Sequence, residues 1–244
     1  MALRLVQVNF KAFDDSALGR FWADALGWVV SSEGPGVTNV EPRNVALPDP
    51  TALGVDVVTV SHPETVRYRA HLDLATTSPE HHAELVAHLT ARGATSADIG
   101  QGDVPWTVLA DPEGNVFCVV EPRPLYQDTG PIAAVVVSCT DPRVLARFWK
   151  EAMDWTLHEM TEDLARLRSA AGVGPYLEFV RVPQITVFTR VHLDLRPYRG
   201  DDQAAEVARL HSLGAADADI GQGDVPWVVL TDPEGNEFCV LTPG

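Results

Sequence analysis

The sequence predicts an α+β protein built from two tandem copies of one domain, and three observations carry that prediction. The ten-residue run from Ala97 to Trp106, A-D-I-G-Q-G-D-V-P-W, recurs unchanged from Ala218 to Trp227, and Asp111-Pro-Glu-Gly-Asn115 recurs from Asp232 to Asn236, both at an offset of 121. His71-Leu-Asp-Leu74 recurs from His192 to Leu195 at the same offset. Within each copy, segments alternating apolar and polar residues with a period of two are interleaved with segments of helical period, so strands and helices are mixed.

Each element follows from local chemistry. Residues 3–10 set Val6, Val8 and Phe10 against Gln7 and Asn9, which predicts a half-buried strand. Asp14, Asp15 and Ser16 then supply an N-cap, Leu18, Phe21, Trp22 and Leu26 an apolar stripe, and Gly27 a stop, which predicts a helix. Residues 37–60 hold two further extended segments, the second being Gly54 to Val60. The order β-α-β-β-β then begins again. A strand from Tyr68 to Ala75 leads to a helix from Pro79 to Arg92 stopped by Gly93, followed by strands near 96–99, 106–110 and 116–120. Asp111-Pro-Glu-Gly-Asn115 joins the last two as a tight turn: proline fixes φ, glycine accepts positive φ, and the Asp and Asn side chains bond local backbone. Two βαβββ units thus make one copy, and the chain has four.

The copies are not uniform. Arg20-Phe-Trp22, closing on Trp28, matches Arg147-Phe-Trp149, closing on Trp155, at an offset of 127, so the first copy carries six extra residues between Trp28 and His71. The Gly/Pro-rich stretch 33–54 is expected to hold them as a surface loop. The Pro-rich segment 121–131 reads as a linker, placing the domains at 1–125 and 129–244.

Composition narrows the partners. With 34 acidic against 18 basic residues and a formal charge of −16, long-range repulsion argues against nucleic acid. Apolar runs are too short to span a bilayer and the N-terminal residues lack a signal-peptide pattern, so no membrane role and a cytoplasmic location are expected. Cys118, Cys139 and Cys239 form no closely spaced pair, so buried thiols and no disulfide are expected. No phosphate-binding glycine loop, H-E-x-x-H or G-x-S-x-G motif occurs.

The paired βαβββ order, the F-W-x-x-x-L-G-W helix, the H-L-D-L strand and the D-P-E-G-N-x-F-C hairpin together resemble the vicinal oxygen chelate superfamily, and within it the glyoxalase-like domains related to glyoxalase I and bleomycin resistance proteins. The likeness spans nearly the whole chain twice. It implies domains in which two βαβββ units curl into a cup-shaped open β-barrel. It also implies metal-ligand positions, typically His and Glu, on the first, fourth, fifth and eighth strands of a domain. Carried over, these are Gln7, Asp56, His71 and Cys118 in the first copy, and Ala134, Glu178, His192 and Cys239 in the second. Neither set matches the pattern. His71, Asp56, His192 and Glu178 stand as metal candidates, with His192, Glu178 and Cys239 offering a zinc set; the alternative leaves both cysteines as packing residues.

Residues two apart in a strand share a face, so His71 with Asp73, and His192 with Asp194, form candidate general-base pairs or static ion pairs. Trp106 and Trp227 open the strand after a Gly-rich connection, where each covers a ligand at the cup rim or merely caps the core. Phe21-Trp22 and Phe148-Trp149 read as core, and His81, His82 and His88 as a solvated helix face.

Two functions stay open. One is binding of a small aromatic or hydrophobic metabolite or an antibiotic in the cup, in a sequestration or resistance role, using Gln7, Asn9, Asp56, Trp106, Cys118, Glu178, Trp227 and Cys239. The other is a glyoxalase-type lyase or isomerase working through the His/Asp pairs, with or without a divalent metal. The resemblance further implies a pseudo-dimer within one chain, acting as a monomer or a homodimer.

Overall fold

A computed structural model describes residues 3–43, 45, 53–61, 69–185, 190–221 and 223–244. The first βαβββ unit is β1 (Arg4–Ala12), α1 (Asp15–Leu26), β2 (Val29–Gly34), β3 (Val37–Glu41) and β4 (Gly54–Thr59). The second is β5 (Ala70–Leu74), α2 (Pro79–Ala91), β6 (Thr95–Ser96), β7 (Thr107–Ala110) and β8 (Val116–Val119), followed by a 3₁₀ turn at Pro124–Tyr126. The third is β9 (Ile132–Cys139), α3 (Pro142–Ala152), β10 (Trp155–Met160), β11 (Leu164–Ser169) and β12 (Tyr176–Arg181). The fourth is β13 (Val191–Arg196), α4 (Gln203–Leu213), β14 (Ala216–Asp217), β15 (Val228–Thr231) and β16 (Glu237–Val240).

Helix limits follow the caps. Asp14 accepts from the Ala17 amide and Gly27 ends α1 at φ 66°, while Ser78 caps α2 with Pro79 in its first turn. Asp15 does not cap. Its carboxylate instead takes hydrogen bonds of 2.7 Å from the Thr38 and Thr59 hydroxyls, tying α1 to β3 and β4. Histidines on α2 are also engaged rather than simply solvated: His88 Nε2 lies 2.7 Å from Asp24, and His82 Nε2 lies 3.1 Å from the Val119 carbonyl. The offset between halves is 127 at the start of β3 and 122 at the start of β4, so five of the six extra residues lie between these strands. Most of that insertion falls outside the described residues.

The eight-stranded sheets each join two βαβββ units, and the two units come from different halves. One sheet runs β14-β15-β16-β13-β1-β4-β3-β2, closed at its centre by antiparallel pairing of β1 with β13. The other runs β10-β11-β12-β9-β5-β8-β7-β6, with β5 antiparallel to β9. The first is termed the first cup and the other the second cup. Gln7 and Asp56 therefore share a sheet with His192 and Cys239, and Ala134 and Glu178 share one with His71 and Cys118. This regroups the ligand positions expected for each half. Strand periodicity dictates which face a residue occupies but not which strand pairs with it.

Units of one half are joined through the core instead. Trp22 on α1 packs its ring 5.1 Å from Phe10 and 5.2 Å from Phe117 of β8, and Trp149 packs 5.2 Å from Phe238 of β16. The D-P-E-G-N turn completes this junction. Asp111 accepts from the Trp22 indole at 3.2 Å, from the amides of Glu113 and Asn115, and from the Asn115 side chain, with Gly114 at φ 86°. Glu113 then caps the entry to α1, accepting from the amides of Phe13 and Asp14 and from Arg190 at 2.7 Å. Asp232 repeats the arrangement with Trp149, and Glu234 with the amides of Thr140 and Asp141. Among the described residues no helix is long and apolar enough to cross a membrane.

Candidate functional site

Both cups carry one shared constellation. His192 Nε2 lies 3.3 Å from Asp194 Oδ1, and His71 Nε2 lies 3.3 Å from Asp73 Oδ1. Across the neighbouring strand, Cys239 stands in register with Asp194 and Cys118 with Asp73, and in each cup the His, Asp and Cys donor atoms lie within 4.8 Å of one another. Burial pushes both thiols well above their ordinary range, and the adjacent carboxylates push them further. Each cysteine is thus a protonated thiol beside a carboxylate. The grouping of His192 and Cys239 with Glu178 is not formed, because Glu178 stands on β12 of the other sheet.

What surrounds that constellation differs. In the first cup, Asn39, Asp56, Asn9 and His192 stand in one row across β3, β4, β1 and β13. Gln7 opposes Asp194 in the next row and donates from Nε2 to Asp56 Oδ2 at 2.5 Å. Lys11 reaches Glu237 at 3.2 Å. Burial raises the Asp56 carboxyl to about 6, opposed by hydrogen bonds from Asn39 and Gln7 and assisted by the charge of Asp194. Asn9, Asp194 and His192 are only 8%, 4% and 9% exposed, yet Asn9 Oδ1 and His192 Nδ1 have no hydrogen-bond partner among the described residues, and Asp194 Oδ1 has only its 3.3 Å contact with His192. Buried polar atoms are rarely left so, and here they belong to residues in adjacent rows of one sheet face.

The second cup is packed. Ala134 and Val136 stand where the first cup has Gln7 and Asn9, both at the offset of 127. Val108, Cys118, Val120, Ala134, Val136 and Tyr176 form one apolar cluster with Tyr126, which enters from the turn between the halves. The Tyr126 and Tyr176 rings meet edge to face at 6.2 Å, and the Tyr126 hydroxyl donates to Glu178 at 3.4 Å. Glu178 also takes a 2.8 Å bond from Arg166 Nε, and burial raises its carboxyl while Arg166 opposes the shift. The two tryptophans diverge as well. Trp106 packs on the apolar cluster beneath Arg123, whereas Trp227 is 38% exposed.

These donor sets bear on a metal. In the first cup the four regrouped positions supply an amide, a carboxyl already bonded to that amide, one imidazole and one thiol. In the second, Ala134 supplies nothing and Glu178 is held by Arg166. Neither fits a His/Glu set for a divalent cation. Lys11, Asn39, Glu237, Tyr126 and Arg166 are site residues that the sequence reading missed. Continuing the alternation of Gln7 and Asn9 would have reached Lys11, and stepping back two from Cys239 would have reached Glu237.

A family model described as a glyoxalase-like domain matches residues 7–120 and again 134–241. Among solved structures, glyoxalase I from Zea mays aligns with a TM-score of 0.65 at 15% identity, covering 99% of this chain and 92% of that one. A Bacillus subtilis structure provisionally assigned as a dioxygenase aligns with a TM-score of 0.63 at 13% identity, covering 99% of this chain and 85% of that one. At such identities the likeness is one of fold. A search of curated protein sequences finds no match.

Proposed function

The chain belongs to the glyoxalase-like domain family, and on that premise we propose that its first cup binds a small molecule while its second cup is a packed platform. One observation carries this reading: at matched positions the first cup has Gln7 and Asn9 where the second has Ala134 and Val136. Polar groups buried without partners in the first cup are ready to hold a ligand by hydrogen bonds, and the exposed Trp227 offers an aromatic face to it. The role is sequestration of a cytoplasmic metabolite or an antibiotic. Because one chain supplies all four units, a monomer suffices.

A second reading is supported by Asp56. A carboxyl titrating at about 6, beside Asn9 and in the row of His192, is poised to take a proton from a bound substrate near neutral pH, as a metal-free lyase or isomerase requires. His192, held by Asp194, is the matching acid or base.

The test is the small-molecule content of purified protein, released by denaturation and read by mass spectrometry for wild type, Asn9→Val and Val136→Asn. A compound retained by wild type and Val136→Asn but lost from Asn9→Val supports the assignment. Retention by Asn9→Val with loss from Val136→Asn places the site in the second cup and rejects it. For the second reading, turnover of the retained compound should vanish in Asp56→Asn.

A further inference from the structure

We infer that the ligand of the first cup carries a protonated amine, recognised by Asn9, Asp56 and Asp194. This rests on the proposal that the first cup is the working one. Asn9 Oδ1 is a buried oxygen with no donor among the described residues, Asp194 Oδ1 has only the 3.3 Å contact with His192 Nε2 and makes no well-formed hydrogen bond, and neither can be satisfied by another acceptor. Asp56 stands beside Asn9 in the same row and Asp194 opposes Gln7 in the next, so three oxygen-bearing side chains sit together on one face of the sheet. An ammonium group brings three N–H donors to them, whereas a hydroxyl brings one.

Charge points the same way. Asp56, Asp194 and Glu237 line the cup against Lys11 and His192, and Lys11 is already engaged by Glu237. A carboxylate or phosphate ligand would meet repulsion at close range, and the formal charge of −16 on the whole chain favours approach of cations. The second cup supplies an internal control. Asp73 and Glu178 there are the counterparts of Asp194 and Asp56, but Val136 replaces Asn9 and Arg166 holds Glu178, so the trio is absent.

Calorimetric titration with benzylamine, benzyl alcohol and benzoate holds the ring constant and varies only the head group. Benzylamine is expected to bind at one site, benzyl alcohol roughly tenfold more weakly or worse, and benzoate not at all. Asp194→Asn and Asp56→Asn should each weaken benzylamine by about tenfold, while Asp73→Asn stays within about twofold. Thermal melts of each variant confirm that the fold is kept, and the conservative Asp56→Asn serves if Asp194→Asn does not fold. Benzoate or benzyl alcohol binding as tightly as benzylamine would overturn the amine assignment, as would indifference to both Asp→Asn changes or no saturable benzylamine binding. Alcohol or benzoate binding that Asn9→Val abolishes removes the amine alone and leaves the first cup as the site. Binding abolished only by Val136→Asn removes both.

Discussion

Asn9 and His192 face each other across the seam between β1 and β13, one from the first βαβββ unit and the other from the last. The row they anchor exists only because units from different halves share a sheet. Its polarity is a property of that pairing rather than of either copy, and the predictions below follow from it.

Acidification should stabilise the protein in part through Asp56. Its carboxyl titrates at about 6 in the folded chain against 3.8 for an ordinary aspartate, so between those values the native state binds more protons than the unfolded one. Stability contributed by that proton is present below the unfolded value and is lost as pH rises towards and through about 6. Urea midpoints between about pH 4 and 8 should show a shallower decline for Asp56→Asn than for wild type; an unchanged slope would contradict the burial of this group.

Tyr126→Ala should destabilise the fold by about 3 kcal/mol, the usual cost of emptying an aromatic side chain from a packed site. Ligand binding in the first cup should survive it. Denaturant titration together with a binding assay checks both, and loss of binding in a folded variant would assign the second cup a functional part.

The two D-P-E-G-N aspartates should be equivalent in stability. Asp111→Ala leaves the Trp22 indole, two amides and the Asn115 side chain without their acceptor, and Asp232→Ala strands Trp149 and Asn236 likewise. Each change should cost about 3 kcal/mol in guanidinium unfolding, with Asp→Asn costing less. A cost near zero at either position would mean that the indole contact is dispensable.

Thiol chemistry gives a fourth check. Cys118, Cys139 and Cys239 are all buried, and burial raises every thiol, Cys139 to about 12. Native protein should resist a thiol-reactive chromophore near neutral pH, and denaturant should release three equivalents. Rapid labelling of the native chain would refute that burial.

Much of this was legible in the residues. The exact repeats and their two offsets marked the duplication, and the spacing of Phe21 and Trp22 marked core, which both residues occupy. That His192 and Asp194 share a face followed from strand geometry alone; their 3.3 Å contact did not. The cup partners did not, since Gln7 and Asp56 face inward whether β1 pairs with β5 or with β13, and the alternation is the same for either. Tyr126 was hidden in a Pro-rich segment that reads as linker, because its burial depends on the cavity it enters. Glu113 belongs to a turn, and nothing local in D-P-E-G-N tells that its carboxylate reaches the amides of Phe13 and Asp14.

The most direct measurement of the central claim is a crystal structure of the protein bearing the compound with which it co-purifies. Density for that compound should lie against Asn9, Asp56, His192 and Asp194, with Tyr126 still packed on Tyr176 in the other cup. Density beside Glu178 and His71, with Tyr126 displaced, would contradict the account.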